Sequence, residues 1–74
     1  MKTTHDFTAL VEREGDGYAA LCPEFDVASQ GDTLENALAN LREAVQLYLE
    51  TADPAEIDLP AEPPFLTTLD VAVA

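Results

Sequence analysis

The stretch Gly31–Ala52, GDTLENALANLREAVQLYLETA, constrains this chain more than any other. Apolar residues recur along it at helical spacing: Leu34, Ala37, Leu38, Leu41, Ala44, Val45, Tyr48, Leu49 and Ala52. At about 100° per residue they form one stripe, with Glu35, Asn36, Arg42, Glu43, Gln46 and Glu50 outside it. Leu47 points off the stripe. Asp32 or Thr33 can accept a hydrogen bond from the first turn, and Asp32 with Glu35 has capping-box spacing. Pro54 stops the run, because the residue before a proline is pushed out of the helical region. A helix of about six turns with one apolar face needs a surface to cover. The rest of the chain must supply it.

Two short strands come first. Residues 7–13, FTALVER, alternate Phe7, Ala9 and Val11 against Thr8, Leu10 and Glu12. Residues 18–22, YAALC, put Tyr18, Ala20 and Cys22 on one side. Between them EGDG makes a turn, where glycine supplies positive φ. Neither strand has a wholly polar face, which predicts a sheet covered on both sides. PEFD (23–26) is a loop, since Pro23 lacks the donor to continue a ladder. VASQ (27–30) is a third short strand, and Gly31 bends into the helix.

After the helix, residues 53–64 hold four of the five prolines and four acidic residues. They read as an extended connector anchored by Ile57 and Leu59. The last stretch, FLTTLDVAVA, alternates Leu69, Val71 and Val73 against Thr68, Asp70 and Ala72. That predicts a fourth strand, paired within the sheet or with a partner because a bare apolar edge is a hazard. The order β-β-β-α-β makes an α+β two-layer sandwich: a small mixed sheet under one long helix, in one domain spanning residues 1–74.

Charge narrows the function. Fifteen acidic residues against three basic ones give −12. Such a chain repels nucleic-acid backbone and attracts basic partners over long range. No apolar run approaches the roughly 20 residues that span a bilayer, so no membrane role is expected. One cysteine, Cys22, fits a reducing, cytoplasmic setting. It ends an apolar strand and reads as a buried, inert thiol. His5 sits in a polar segment and reads as a surface residue. Asp6, Glu12, Asp26 and Asp32 could meet on the sheet, but no spacing is diagnostic of a metal. Tyr48, Tyr18 and Phe25 are assigned to packing, the last two with a contact role as the alternative. No catalytic residue, cofactor or metal site is predicted, and the protein is read as a non-enzyme.

From Phe7 to Leu49 the chain resembles the HicB family of antitoxins. The resemblance rests on the order FTALVER, EGDGYAA, LCPEF and SQGDTLENALANLREAV, whose S-x-G-D-T followed by an alanine-rich helix is the most telling part. It implies a β-β-β-α-β unit likened to a truncated ribonuclease H sheet. It also implies a role, which is to bind and block a small basic HicA-type toxin, an mRNA-cleaving ribonuclease. Many members carry a C-terminal DNA-binding domain. The sequence ends at Ala74 without one, so autoregulation by direct DNA binding is not expected. The alternative reading is a stand-alone homo-oligomer, a dimer or tetramer, with a structural or scaffold role. Candidate partner contacts are Glu24, Phe25, Asp26, Asp32 and Glu35, the acidic and aromatic groups of the loop and helix start.

Overall fold

A computed structural model describes residues 5–57 and 65–73. Strands β1 (Leu10–Glu14), β2 (Gly17–Cys22) and β3 (Val27–Gly31) precede helix α1 (Leu34–Thr51) and a 3-10 turn at Pro54–Glu56. The strands form one antiparallel meander in the order β1-β2-β3. The α+β layout of three strands and a covering helix is therefore as the sequence predicts.

Two-residue and four-residue loops set the register. Glu14 pairs with Gly17, leaving Gly15 and Asp16 as the turn. Gly15 has φ +58° and Asp16 does not go positive, the sign pattern of a type II′ turn, which matches strand twist. Cys22 pairs with Val27, and the Phe25 N–H donates to the Cys22 carbonyl at 3.3 Å. Pro23 suits the second position of that turn, and Asp26 closes the loop at φ 54°, a conformation aspartate tolerates better than most residues.

The first strand starts three residues later than predicted, at Leu10 and not Phe7. Two features explain this. Continuing the register puts Thr8 opposite Pro23, which has no N–H to donate, and the Thr8 N–H donates to the Glu24 carboxylate at 2.8 Å. The ladder has nothing left to pair with there.

Thr33 is the helix cap, its hydroxyl accepting from the Asn36 N–H at 3.0 Å. The Asp32–Glu35 capping box does not form, because the capping residue lies one position later. At the far end the Thr51 hydroxyl donates to the Leu47 carbonyl, and no basic residue offsets the negative end of the helix dipole.

Alternation sorts the sheet into two faces. Val11, Ala20, Cys22 and Val27 look toward the helix; Leu10, Glu12, Ala19, Leu21, Ala28 and Gln30 look away. The buried core is Ala20 and Cys22 from β2 with Ala37, Leu41 and Val45 from α1. Three of these five are small, so the helix lies close to the sheet. The stripe is narrower than predicted: Leu34 and Leu38 are exposed, and Leu47 is exposed as expected. The outward sheet face, expected to be covered, is half-buried to exposed among the described residues.

The fourth strand predicted for residues 65–74 does not form over the described part, 65–73, and the sheet is antiparallel, not mixed. Alternation creates a strand only when an edge pairs with it, and no such pairing is made among the described residues. Of the two predicted connector anchors, Ile57 is half-buried and Leu59 lies outside the described residues. No described helix is long and apolar enough to cross a membrane.

Candidate functional site

The five predicted contact residues fall at opposite ends of β3. Glu24, Phe25 and Asp26 lie in the loop that precedes it, while Asp32 and Glu35 lie where it enters the helix. Five strand residues put about 16 Å between those ends, so the five do not make one patch.

At the loop end, two of the three side chains already have partners. Glu24 is half-buried; its carboxylate accepts from the Thr8 N–H at 2.8 Å and from the Cys22 thiol at 3.5 Å. Partial burial pushes its pKa up. The N–H donors of Thr8 and of its own backbone, with the thiol, outweigh that and hold it below the ordinary carboxylate value. Phe25 is half-buried in a row of rings: its centroid is 5.1 Å from Phe7 and 5.2 Å from Tyr48, and Phe7 stacks on the exposed His5 at 6.2 Å. Glu24 and Phe25 thus tie the N-terminal segment and the loop to the end of the helix. Asp26 alone of the three is exposed.

Glu24 carries a pH prediction. A carboxylate whose folded pKa lies below its unfolded one adds stability above the unfolded value and loses it as pH falls through the folded value. The Glu24→Gln variant should lose about 1 kcal/mol at pH 7, discounted for partial solvent screening. The variant's deficit should begin to shrink as pH falls below the ordinary glutamate value and disappear once the pH has passed the lower folded value, where the native carboxylate protonates too. Urea unfolding at a series of pH values checks this; a deficit that stays constant down to pH 3 would refute it.

The helix end is more open. Asp32 and Glu35 are exposed, with the positive end of the helix dipole beneath them. The register brings the β1–β2 hairpin alongside, because Tyr18 pairs with Gly31. A shallow groove of about 370 Å³ results, lined by Glu14, Gly17, Tyr18, Gln30, Gly31 and Asp32. Exposed Asp16 stands at the hairpin tip, and Arg13 lies over the Tyr18 ring, 5.8 Å from its centroid. Glu14 and Asp16 were missed as contact candidates. The signal for them was EGDG, two acids in a tight turn, but only the strand register places that turn beside Asp32.

Cys22 is buried, as the sequence predicts; burial first, then the neighbouring Glu24 carboxylate, raises its pKa and keeps it a thiol. Asp6, Glu12, Asp26 and Asp32 do not converge, and among the described residues no three of His, Cys, Asp and Glu are placed to hold a metal ion. The surface is acidic by arithmetic: with 15 carboxylates and three cations, at least 12 carboxylates have no basic side chain of their own.

No family model and no solved structure matches the chain. Curated relatives do. A UPF0150 protein of Synechocystis sp. is 38% identical over 74 aligned residues, covering 97% of this chain and 94% of the relative. A second Synechocystis UPF0150 protein is 47% identical over 61% of this chain and 65% of its own length. A UPF0150 protein of Helicobacter pylori is 38% identical over 66% of this chain and 69% of its own. With near full-length similarity to the first of these, the chain belongs to the UPF0150 family.

Proposed function

We propose that this protein is a non-enzymatic binding module that sequesters a small basic ribonuclease of the HicA toxin type. The observation that carries the reading is the S-x-G-D-T segment and what stands around it. Gly31 and Thr33 deliver the chain from β3 into the helix, and Asp32, Glu35, Glu14 and Asp16 stand exposed around that junction. The resemblance to HicB antitoxins rests on the same segment. Exposed carboxylates on a −12 chain offer a basic ribonuclease negative charge where it would meet phosphates. Complementarity of this kind acts mainly on association rate and specificity.

The test is binding between this protein and a basic toxin encoded beside it, followed by surface resonance at low and high salt. Reversing Glu14 and Asp32 together to lysine should slow association about tenfold or more at low salt, with the circular dichroism of the fold retained. The same reversal at Asp26, at the far end of the sheet, should have a smaller effect. Absence of a complex at low salt would overturn the reading.

A second reading, a stand-alone homo-oligomer with a structural role, is favoured by one observation. Residues 65–73 carry exposed Phe65, Leu66, Leu69, Val71 and Val73.

A further inference from the structure

Residues 5–9 run beside the body of the protein without joining its sheet. They precede β1 and have no strand partner. Among the described residues they make no backbone–backbone hydrogen bond either. The five buried core residues come from β2 and α1, none from this segment. Of its apolar side chains, Phe7 packs on that core half-buried and Ala9 is exposed.

Two contacts hold the segment down. The Thr8 N–H donates to one oxygen of the Glu24 carboxylate at 2.8 Å, and the Phe7 ring meets Phe25 edge to face, with centroids 5.1 Å apart. Both partners sit in the loop 23–26, and that loop is fixed to the body without help from the segment. The Phe25 N–H donates to the Cys22 carbonyl, the Phe25 ring lies against Tyr48 of the helix, and the second Glu24 oxygen accepts from the Cys22 thiol. A charged acceptor makes the Thr8 bond stronger than a neutral one. It is still a single bond between half-buried residues, where water competes for both groups.

The segment covers something reactive. A groove of about 510 Å³ lies between residues 5–9 and the helix side chains Leu38, Leu41, Val45 and Leu49, and Cys22 lines it too. With residues 5–9 in place, Cys22 is 1% exposed. Lifting them away would remove one wall of the groove and uncover the thiol. It would break no ladder pair and displace no core residue.

We infer that residues 5–9 form a gate that swings off the folded body at Ala9, just before the ladder begins, with the Glu24 carboxylate and the Phe25 ring as its latch. A segment with few buried contacts and no ladder bonds opens at a free energy well below that of global unfolding. Opening admits small solutes to Cys22, Leu41 and Val45 while the sheet and the helix stay formed. The gate is independent of toxin binding and of any self-association.

Labelling of Cys22, the single thiol of the chain, tests this. The rate of alkylation by iodoacetamide at pH 8 is followed by mass at a series of urea concentrations. A local opening exposes little surface, so the rate at low urea should be nearly flat, and only at higher urea should it take the steep slope of global unfolding. Thr8→Pro removes the donated N–H and Phe7→Ala removes the ring contact, and both leave Cys22 and Glu24 in place. Each should raise labelling at low urea about tenfold, the equivalent of one such contact. Gly15→Ala strains the β1–β2 turn in the closed and open forms alike, so it should lower the urea midpoint and leave low-urea labelling unchanged. Should Thr8→Pro fail to fold, Phe7→Ala and the wild-type slope decide alone. Wild-type labelling that keeps the global slope down to zero urea overturns the inference. So does a Gly15→Ala effect on low-urea labelling as large as that of Phe7→Ala, or a Phe7→Ala rate equal to the wild type's.

Discussion

Gly31→Ala should cost about 3 kcal/mol or more, most of what a domain of this size has to lose. A Cβ added at Gly31 would lie 2.5 Å from the Ala37 nitrogen and 2.8 Å from the Asn36 carbonyl carbon. Both are backbone atoms of the first turns of α1, which cannot rotate aside as a side chain could. Either the helix lifts off the sheet or β3 bends. Lifting the helix would loosen Ala37, which is fully buried, and draw Leu41 away from Ala20 and Cys22. Gly15→Ala is the control. That residue has φ +58° but nothing within 4 Å, so only the left-handed penalty applies, about 1–2 kcal/mol. Urea midpoints by circular dichroism should therefore rank wild type, Gly15→Ala, Gly31→Ala. The reverse order would mean that β3 and the helix are not packed this closely.

The other large effect is expected at Leu41. It is 4% exposed and, with Val45, provides the bulk of a core otherwise built from two alanines and a cysteine. Leu41→Ala should cost 2–5 kcal/mol, the transfer of the lost atoms plus the cavity they leave. Small neighbours cannot collapse into that cavity, which favours the upper part of the range. Leu47→Ala, on the same helix but 60% exposed, should stay within about 0.5 kcal/mol. Thermal melts of the two variants decide the matter; equal losses would mean that the buried side of the helix has been misassigned.

Both expectations follow from one structural fact, a thin core made of small residues. At 74 residues the chain buries only about 60% of the surface its unfolded form exposes, so little reserve stands behind any single contact.

Local rules made much of this legible. The helix from 34 to 51, its stop before Pro54, the turn at Gly15 and the loop at Pro23 each depend on residues adjacent in sequence. Periodicity, proline's missing donor and glycine's freedom at φ +58° therefore sufficed. The errors also share a cause. Phe7 and Thr8 read as strand by alternation, yet the Thr8 N–H goes to the Glu24 carboxylate, a bond between residues 16 apart. Glu24 read as a free contact for the same reason. Residues 65–73 read as a strand by alternation alone, which states what a segment could pair with and not whether an edge is offered.

Residue order alone made three strands, the helix and the acidic charge legible, because these depend on near neighbours or on counting. Only the tertiary structure decided which carboxylates stand together. Register set by two short loops brings Glu14 and Asp16 to the helix start beside Asp32, and holds Asp26 at the other end of β3. Only the fold, too, shows that the helix packs chiefly on β3 and least on β1. The physical reason is that pairing and packing join residues far apart in the chain, and neither composition nor periodicity carries that distance.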